Sequence, residues 1–163
     1  MKTHHIQTGM NNELLRKKSK KVGAFNNDIK KFEKTLIGFM KEKDGVGIAA
    51  PQIGESLQMI ICKLDSKKAT TMCNPEIIFF SEEKSFAEEG CLSLPGVWGK
   101  VERSKEVICK YQDIKGKSIQ LKLSGFSARV VQHEKDHLDG ILFADKAIEL
   151  KADEGVDLEE LGL

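Results

Sequence analysis

The chain has 163 residues, 40% hydrophobic and 31% charged, which suits one globular domain over residues 1–163 and excludes a disordered chain. Its 26 Lys and Arg stand against 25 Asp and Glu, a net charge of +1, so no global basic field points to a nucleic-acid partner. No apolar run approaches the roughly 18 residues that suggest a membrane span, and the chain reads as a soluble, cytoplasmic protein.

In chain order, the polar start Met1-Lys2-Thr3-His4-His5 lacks the apolar core of a signal peptide. A short basic segment over 13–22, carrying Lys17, Lys18, Lys20 and Lys21, reads as a helical turn or an irregular arm. Asn26-Asn27-Asp28 offers N-cap chemistry, and Ile29, Phe32, Leu36, Phe39 and Met40 recur at helical spacing, predicting a first helix that ends near Asp44-Gly45. Residues 45–54, GVGIAAPQIG, are too rich in Gly and small residues for a core helix. Strands are predicted over 58–63, 70–73, 77–80, 85–88, 101–103, 106–112 and 118–123, with a hairpin turn at 113–116. Ser124-Gly125 precedes a second helix over 126–138, stopped by Asp139-Gly140. Helix, many short strands, helix is an α+β pattern without βαβ alternation.

Residues 147–163 form an acidic tail bearing Glu149, Asp153, Glu154, Asp157, Glu159 and Glu160. Of the four cysteines, Cys62 and Cys109 lie in strand-like apolar runs and none belongs to a C-x-x-C pair, so no disulfide framework is expected.

The second predicted helix carries His133-Glu134-Lys135-Asp136-His137, an H-E-x-x-H motif. With about 3.6 residues per turn, His133 stacks over His137, so two imidazoles can grip one metal ion while Glu134 exchanges a proton with a water on it. The motif points to hydrolysis, although standing alone it also fits a surface helix with two solvated histidines. A tetrahedral site needs a third protein ligand, and His4 and His5 lie in a terminus read as mobile. Cys91 is the best candidate, because Gly90 and Pro95 mark a bent backbone able to aim a thiolate. Taken alone, a cysteine beside a turn is more often an inert buried thiol.

Three segments bear on that choice: GVGIAAPQIG at 45–54, EEGCLSLPG at 88–96 and QHEKDHLDG at 132–140. They stand in the order and approximate spacing of the signature motifs of peptide deformylases, and the chain resembles that family over about residues 13–146. Leu14-Leu15-Arg16-Lys17-Lys18 and Gly125-Phe126-Ser127-Ala128-Arg129-Val130-Val131 share in the resemblance. It implies a deformylase-like fold, short antiparallel strands around a central metal-binding helix. The implied activity is removal of formyl from the N-terminal methionine of newly made polypeptides. Carried over residue by residue, Cys91, His133 and His137 bind one divalent metal, with a water as fourth ligand that attacks the formyl carbon. Glu134 is then the general acid and base, and the Gln52 side chain and Leu92 backbone N–H hold the substrate carbonyl. The implied metal is Fe2+, with Zn2+, Ni2+ or Co2+ able to occupy the same ligands. The implied partners are N-formylmethionyl nascent polypeptides, with transient ribosome proximity, no direct nucleic-acid binding and no membrane. Bacterial cytoplasm is the expected location, an organellar or viral origin staying open.

A Cys-His-His set contributes one negative charge, so a bound ion stays positive enough to acidify water and polarise a carbonyl. Gly45, Val46 and Gly47 are read as substrate contacts, since glycines let a backbone approach closely; a tight helix-to-strand turn explains the same residues. Phe126, Arg129 and Val130 fall on the face of His133 and either line a pocket for the methionine side chain or serve as core. Glu89, Arg103 and Asp136 are candidates to orient the ligands, Asp136 being equally readable as solvated. Trp98 either flanks the cleft or packs. Two other readings of the motif remain, an H-E-x-x-H metallopeptidase and a noncatalytic metal-binding module. The start lacks a proline that would assign its packing, and residues beyond Lys146 match nothing in the family pattern. The acidic tail is expected not to anchor the protein to ribosomal RNA, whose phosphates would repel it.

Overall fold

The computed structural model describes residues 3–65 and 68–163; Met1 and Lys2, the first residues of the polar start, and Ser66 and Lys67 lie outside the described residues. The elements are α1 (Glu13–Arg16), α2 (Asn27–Glu42), β1 (Gly47–Ala49), a 3₁₀ turn (Ala50–Ile53), β2 (Met59–Lys63), β3 (Ala69–Phe80), β4 (Lys84–Cys91), β5 (Leu94–Ser104), β6 (Glu106–Gln112), β7 (Ser118–Ser124), α3 (Gly125–Leu138), a 3₁₀ turn (Phe143–Asp145) and β8 (Leu150–Ala152). Five strands form one sheet in the order β1-β2-β3-β6-β7, and three form another in the order β4-β5-β8. Every pairing between these strands is antiparallel, and outside them Lys20 forms a parallel bridge with Leu57. Among the described residues no helix is long and apolar enough to cross a membrane.

The centre of the fold is β2, whose run Met59-Ile60-Ile61-Cys62 is fully buried instead of alternating. Its two faces serve two cores, which is why both must be apolar. Ile60 and Cys62 join Met72, Val107 and Cys109 beneath Ala128, Val130, Val131 and Leu138 of α3. Met59 and Ile61 face the other way, onto Leu36 and Met40 of α2. That helix begins where the Asn26 side chain accepts from the Asp28 and Ile29 N–H groups, both at 3.1 Å, an N-cap worth about 1 kcal/mol. A third cluster gathers Leu94, Val97, Val101, Phe143 and Leu161. Helix α3 packs on β1 and β2 of one sheet and on β5 of the other, so it carries side chains to the seam between them.

Several sequence expectations are revised. The strands expected at 70–73 and 77–80 are one strand, β3, which passes through Asn74-Pro75 with register shifts. Asn74 takes φ +51°, and its side chain accepts from Val22 N and donates to Val22 O, so a pair that reads as a turn is held inside the sheet. The short strands at 85–88 and 101–103 lengthen into β4 and β5, which pair along Lys84↔Ser104 to Gly90↔Trp98. Gly90 and Pro95, read as marking a bent backbone, lie inside β4 and β5, and the bend is confined to the register shift at Gly90/Cys91. The tail supplies an unexpected strand, β8, seated on β5 at Val97–Gly99.

Candidate active site

Strand β4 delivers Cys91 at its end, where Cys91 pairs with Leu94 across a tight turn, and α3 delivers both histidines. The Cys91 Sγ and one ring nitrogen each of His133 and His137 lie within 4.8 Å of one another. Sγ stands 3.3 Å from His137 Nε2, and the two imidazoles meet edge-on with centroids 5.2 Å apart. The other ring nitrogen of His133, Nδ1, is 2.8 Å from Glu89 Oε1. Nδ1–H therefore donates to the carboxylate, leaving Nε2 with its lone pair for a metal.

Glu89 is itself gripped. Arg103 donates to it through Nε and Nη2 at 3.0 and 2.9 Å, and Arg129 through Nη1 at 2.6 Å. Burial would raise its pKa, but hydrogen bonds from His133 and Arg103 hold it far below the ordinary carboxylate range. Asp136 acts one step out, accepting from Arg103 Nη1 at 2.5 Å and pairing with Lys146 at 2.9 Å. Of the three orienting candidates, Glu89 is thus the one that touches a histidine. Phe143 stacks on the His133 ring at 6.1 Å and 20°.

Glu134 is 4% exposed, and its Oε2 has no hydrogen-bond partner among the described residues. Burial pushes its pKa up to about 7. The missing side chain of Gly47 makes room for it: a Cβ there would stand 2.5 Å from Glu134 Oε1. Gln52, almost fully buried, accepts from Ala49 N at 2.9 Å through Oε1. Its Nε2 donates to Ser93 Oγ at 3.2 Å and toward Cys91 Sγ at 3.4 Å, so the amide N–H₂ is turned to the thiol.

Cys91, His133, Glu134, Glu89 and Gln52 border a cleft of about 860 Å³ that also includes Gly45, Val46, Gly47 and Leu92, whereas His137 and Ser93 lie behind its wall. Phe126, Arg129 and Val130 line it too. Phe126 is 56% exposed and cannot be core, whereas Val130 belongs both to the cleft wall and to the core beneath α3. Trp98 lies over Gly90, where a Cβ would fall 2.6 Å from the indole, and it flanks the cleft. The terminus expected to be mobile is held at His4, whose Nδ1 meets Ile53 O at 3.2 Å and whose ring leans on Phe32. His4 and His5 border the cleft and stand outside the ligand cluster. Two contributors went unassigned in the sequence. Ser93 lies within the quoted EEGCLSLPG segment, and Phe143 belongs to an apolar run just past α3; neither type signals such a role by itself.

The donor set fits a divalent ion. One thiolate and two imidazoles suit zinc, iron and their neighbours, and three protein donors leave a position for water or substrate. The orphaned Glu134 oxygen is the polar partner such a water would need. A thiol and two imidazoles converging beside a buried carboxyl at the wall of an open cleft define a mononuclear metallohydrolase. The polypeptide deformylase family model matches residues 5–153. A peptide deformylase of Pseudothermotoga lettingae is 49% identical over 132 residues, covering 81% of this chain and 76% of that protein. One from Desulforudis audaxviator is 42% identical over 82% of this chain and 87% of its own length. The crystal structure of the Thermotoga maritima peptide deformylase superposes with a TM-score of 0.86 at 38% identity, covering 91% of this chain and 100% of that one. The chain belongs to the polypeptide deformylase family, metal-dependent hydrolases that remove the N-formyl group from newly made polypeptides.

Proposed function

We propose that Cys91, His133 and His137 hold the catalytic ion and that Glu134, Gln52 and Leu92 carry out deformylation around it. The observation that supports this most is the convergence of three ligand atoms within 4.8 Å at the cleft whose wall also holds Glu134, with its unpartnered, buried oxygen. When bound, the ion supplies Lewis acidity, lowering the pKa of a water and polarising a carbonyl. Glu134, poised near neutrality, accepts the proton of the attacking water at its free oxygen and returns it to the departing amine nitrogen. The Gln52 Nε2 and the Leu92 N–H meet the negative charge that grows on the formyl oxygen, each worth about 3–4 kcal/mol by analogy with known oxyanion donors. Glu89 holds the His133 ring so that Nε2 faces the cluster.

Gly45, Val46 and Gly47 offer backbone to the peptide. Phe126, Val130 and the aliphatic stem of Arg129 receive the methionine side chain. Fe2+ is the ion we assign in the cell, with Zn2+, Ni2+ and Co2+ compatible with the same donors. We read residues 1–163 as one catalytic domain working in the bacterial cytoplasm, in keeping with the bacterial relatives. Anaerobic, iron-loaded protein should release formate from formyl-Met-Ala-Ser. Glu134→Ala should cut that rate by at least about a hundredfold while retaining metal; no formate from the unaltered protein overturns the assignment. Ribosome contact is transient and does not use the tail's acidic charge, so replacing Glu149, Asp153, Glu154, Asp157, Glu159 and Glu160 by their amides should not lower the fraction that pellets with ribosomes.

A further inference from the structure

Residues 154–163 lie beyond the family match, which ends at 153, yet they are built into the protein. Leu161 is only 9% exposed, in the cluster of Leu94, Val97, Val101 and Phe143, and Cys91, Met10 and Val156 pack against that same cluster. Just before this segment, Asp153 N donates to Gly96 O at 2.8 Å. Val156 then covers Gly96, its Cγ2 lying 2.6 Å from where a Cβ would stand. At the far end Met10 N donates to Leu161 O at 2.8 Å. The segment so held is stitched to the site: Gly9 N donates to Ser93 O at 3.0 Å and Gln7 N to Gln52 O at 2.8 Å. No described residue beyond Glu134 lines the cleft, so this strap lies outside it.

We infer that residues 154–163 position the Cys91 thiolate, with Leu161 and Val156 as positioning residues that fix the 91–96 loop. The inference rests on Cys91 being a metal ligand. Sulfur reaches the cluster from a turn at a strand end, and a turn keeps its aim only if both of its sides are packed. The tail and the N-terminal segment it clamps pack this one. Losing them should loosen the thiolate first, because Cys91 packs directly against this cluster whereas the histidines ride on α3, which is packed on β1 and β2, so metal retention suffers more than substrate affinity.

The test uses full-length, cobalt-loaded protein, in which the thiolate-to-cobalt absorption band reports the sulfur bond and transfer to a chelator reports release. Leu161→Ala and Val156→Ala should each release cobalt about tenfold faster, the lower end of what removing ligand-orienting partners costs. The KM for formyl-Met-Ala-Ser should change less than twofold, and Leu161→Met should restore slow release. Ile29→Ala, which removes packing from α2, should lower the melting temperature with release unchanged. Unaltered release in folded Leu161→Ala and Val156→Ala proteins overturns the strap. Absence of the thiolate band in the unsubstituted protein overturns the assignment of Cys91 instead.

Discussion

Of the four thiols, Cys62 and Cys109 share one core, Cys73 lies in another, and Cys91 on the cleft wall is the one whose surroundings suit chemistry. Burial drives the Cys62 pKa well above its ordinary value, that of Cys73 to about 12 and that of Cys109 to about 11. All three are buried and have no solvent path, whereas Cys91 is half-buried on the cleft wall. Alkylation requires thiolate and access together. Iodoacetamide at pH 8 should therefore modify metal-free protein at Cys91 alone, and reloading the metal should protect it; peptide mass mapping that finds Cys73 or Cys109 labelled at a similar rate would refute this. At this scale the site was legible from sequence because Cys91, Gln52, Glu134 and both histidines sit in contiguous motifs. Ser93 and Phe143 were not, since a serine acting on Gln52 and a phenylalanine stacked on His133 acquire those roles only through contacts between distant segments.

Between elements, β1 and α3 meet at Gly47 and Glu134, where backbone is substituted for side chain. A methyl at Gly47 would stand 2.5 Å from Glu134 Oε1 and 2.8 Å from its Cγ. Because Glu134 is nearly fully buried, it can yield only by leaving its position beside the ligands. Gly47→Ala should lower kcat by about tenfold or more, since misplacing a catalytic group by about 1 Å can cost two orders of magnitude. Circular dichroism and metal content should remain near those of the unaltered protein; a normal kcat would show that the carboxyl has slack. The two long helices were legible because their apolar spacing is local, as is the Asn26 cap of α2; Ser124 makes no side-chain cap bond to α3. The lengths of β3, β4 and β5 were not, because Asn74-Pro75, Pro95 and Gly96 favour turns locally and are overruled by cross-strand pairing. Strand β8 was hidden for the opposite reason: its three residues are exposed and show no alternation to read.

Across the whole molecule, distant parts of the chain are joined by one arginine. Arg16 donates to Met10 O at 2.6 Å and to Gly140 O at 3.1 Å, and it grips Asp145 with two bonds of 2.6 and 3.1 Å. Asp145 also accepts from Leu142 N at 2.9 Å, so it fixes the turn that carries Phe143 to the His133 ring. Partial burial would raise the Asp145 pKa, but the Arg16 hydrogen bond and the Leu142 N–H outweigh it and lower it. A carboxyl whose pKa is depressed by folding contributes stability above its unfolded value and loses it as pH falls through the folded one. The pair is about one-third exposed, so solvent screening limits its contribution to at most about 1 kcal/mol. Urea unfolding at pH 7 should find Asp145→Asn less stable by no more than that amount. The gap should hold down to about pH 4, near the unfolded carboxyl value, and close below it as Asp145 takes up its proton. A gap that widened on acidification would mean that the carboxyl is strained in the fold and that Arg16 holds the chain through its two backbone carbonyls alone.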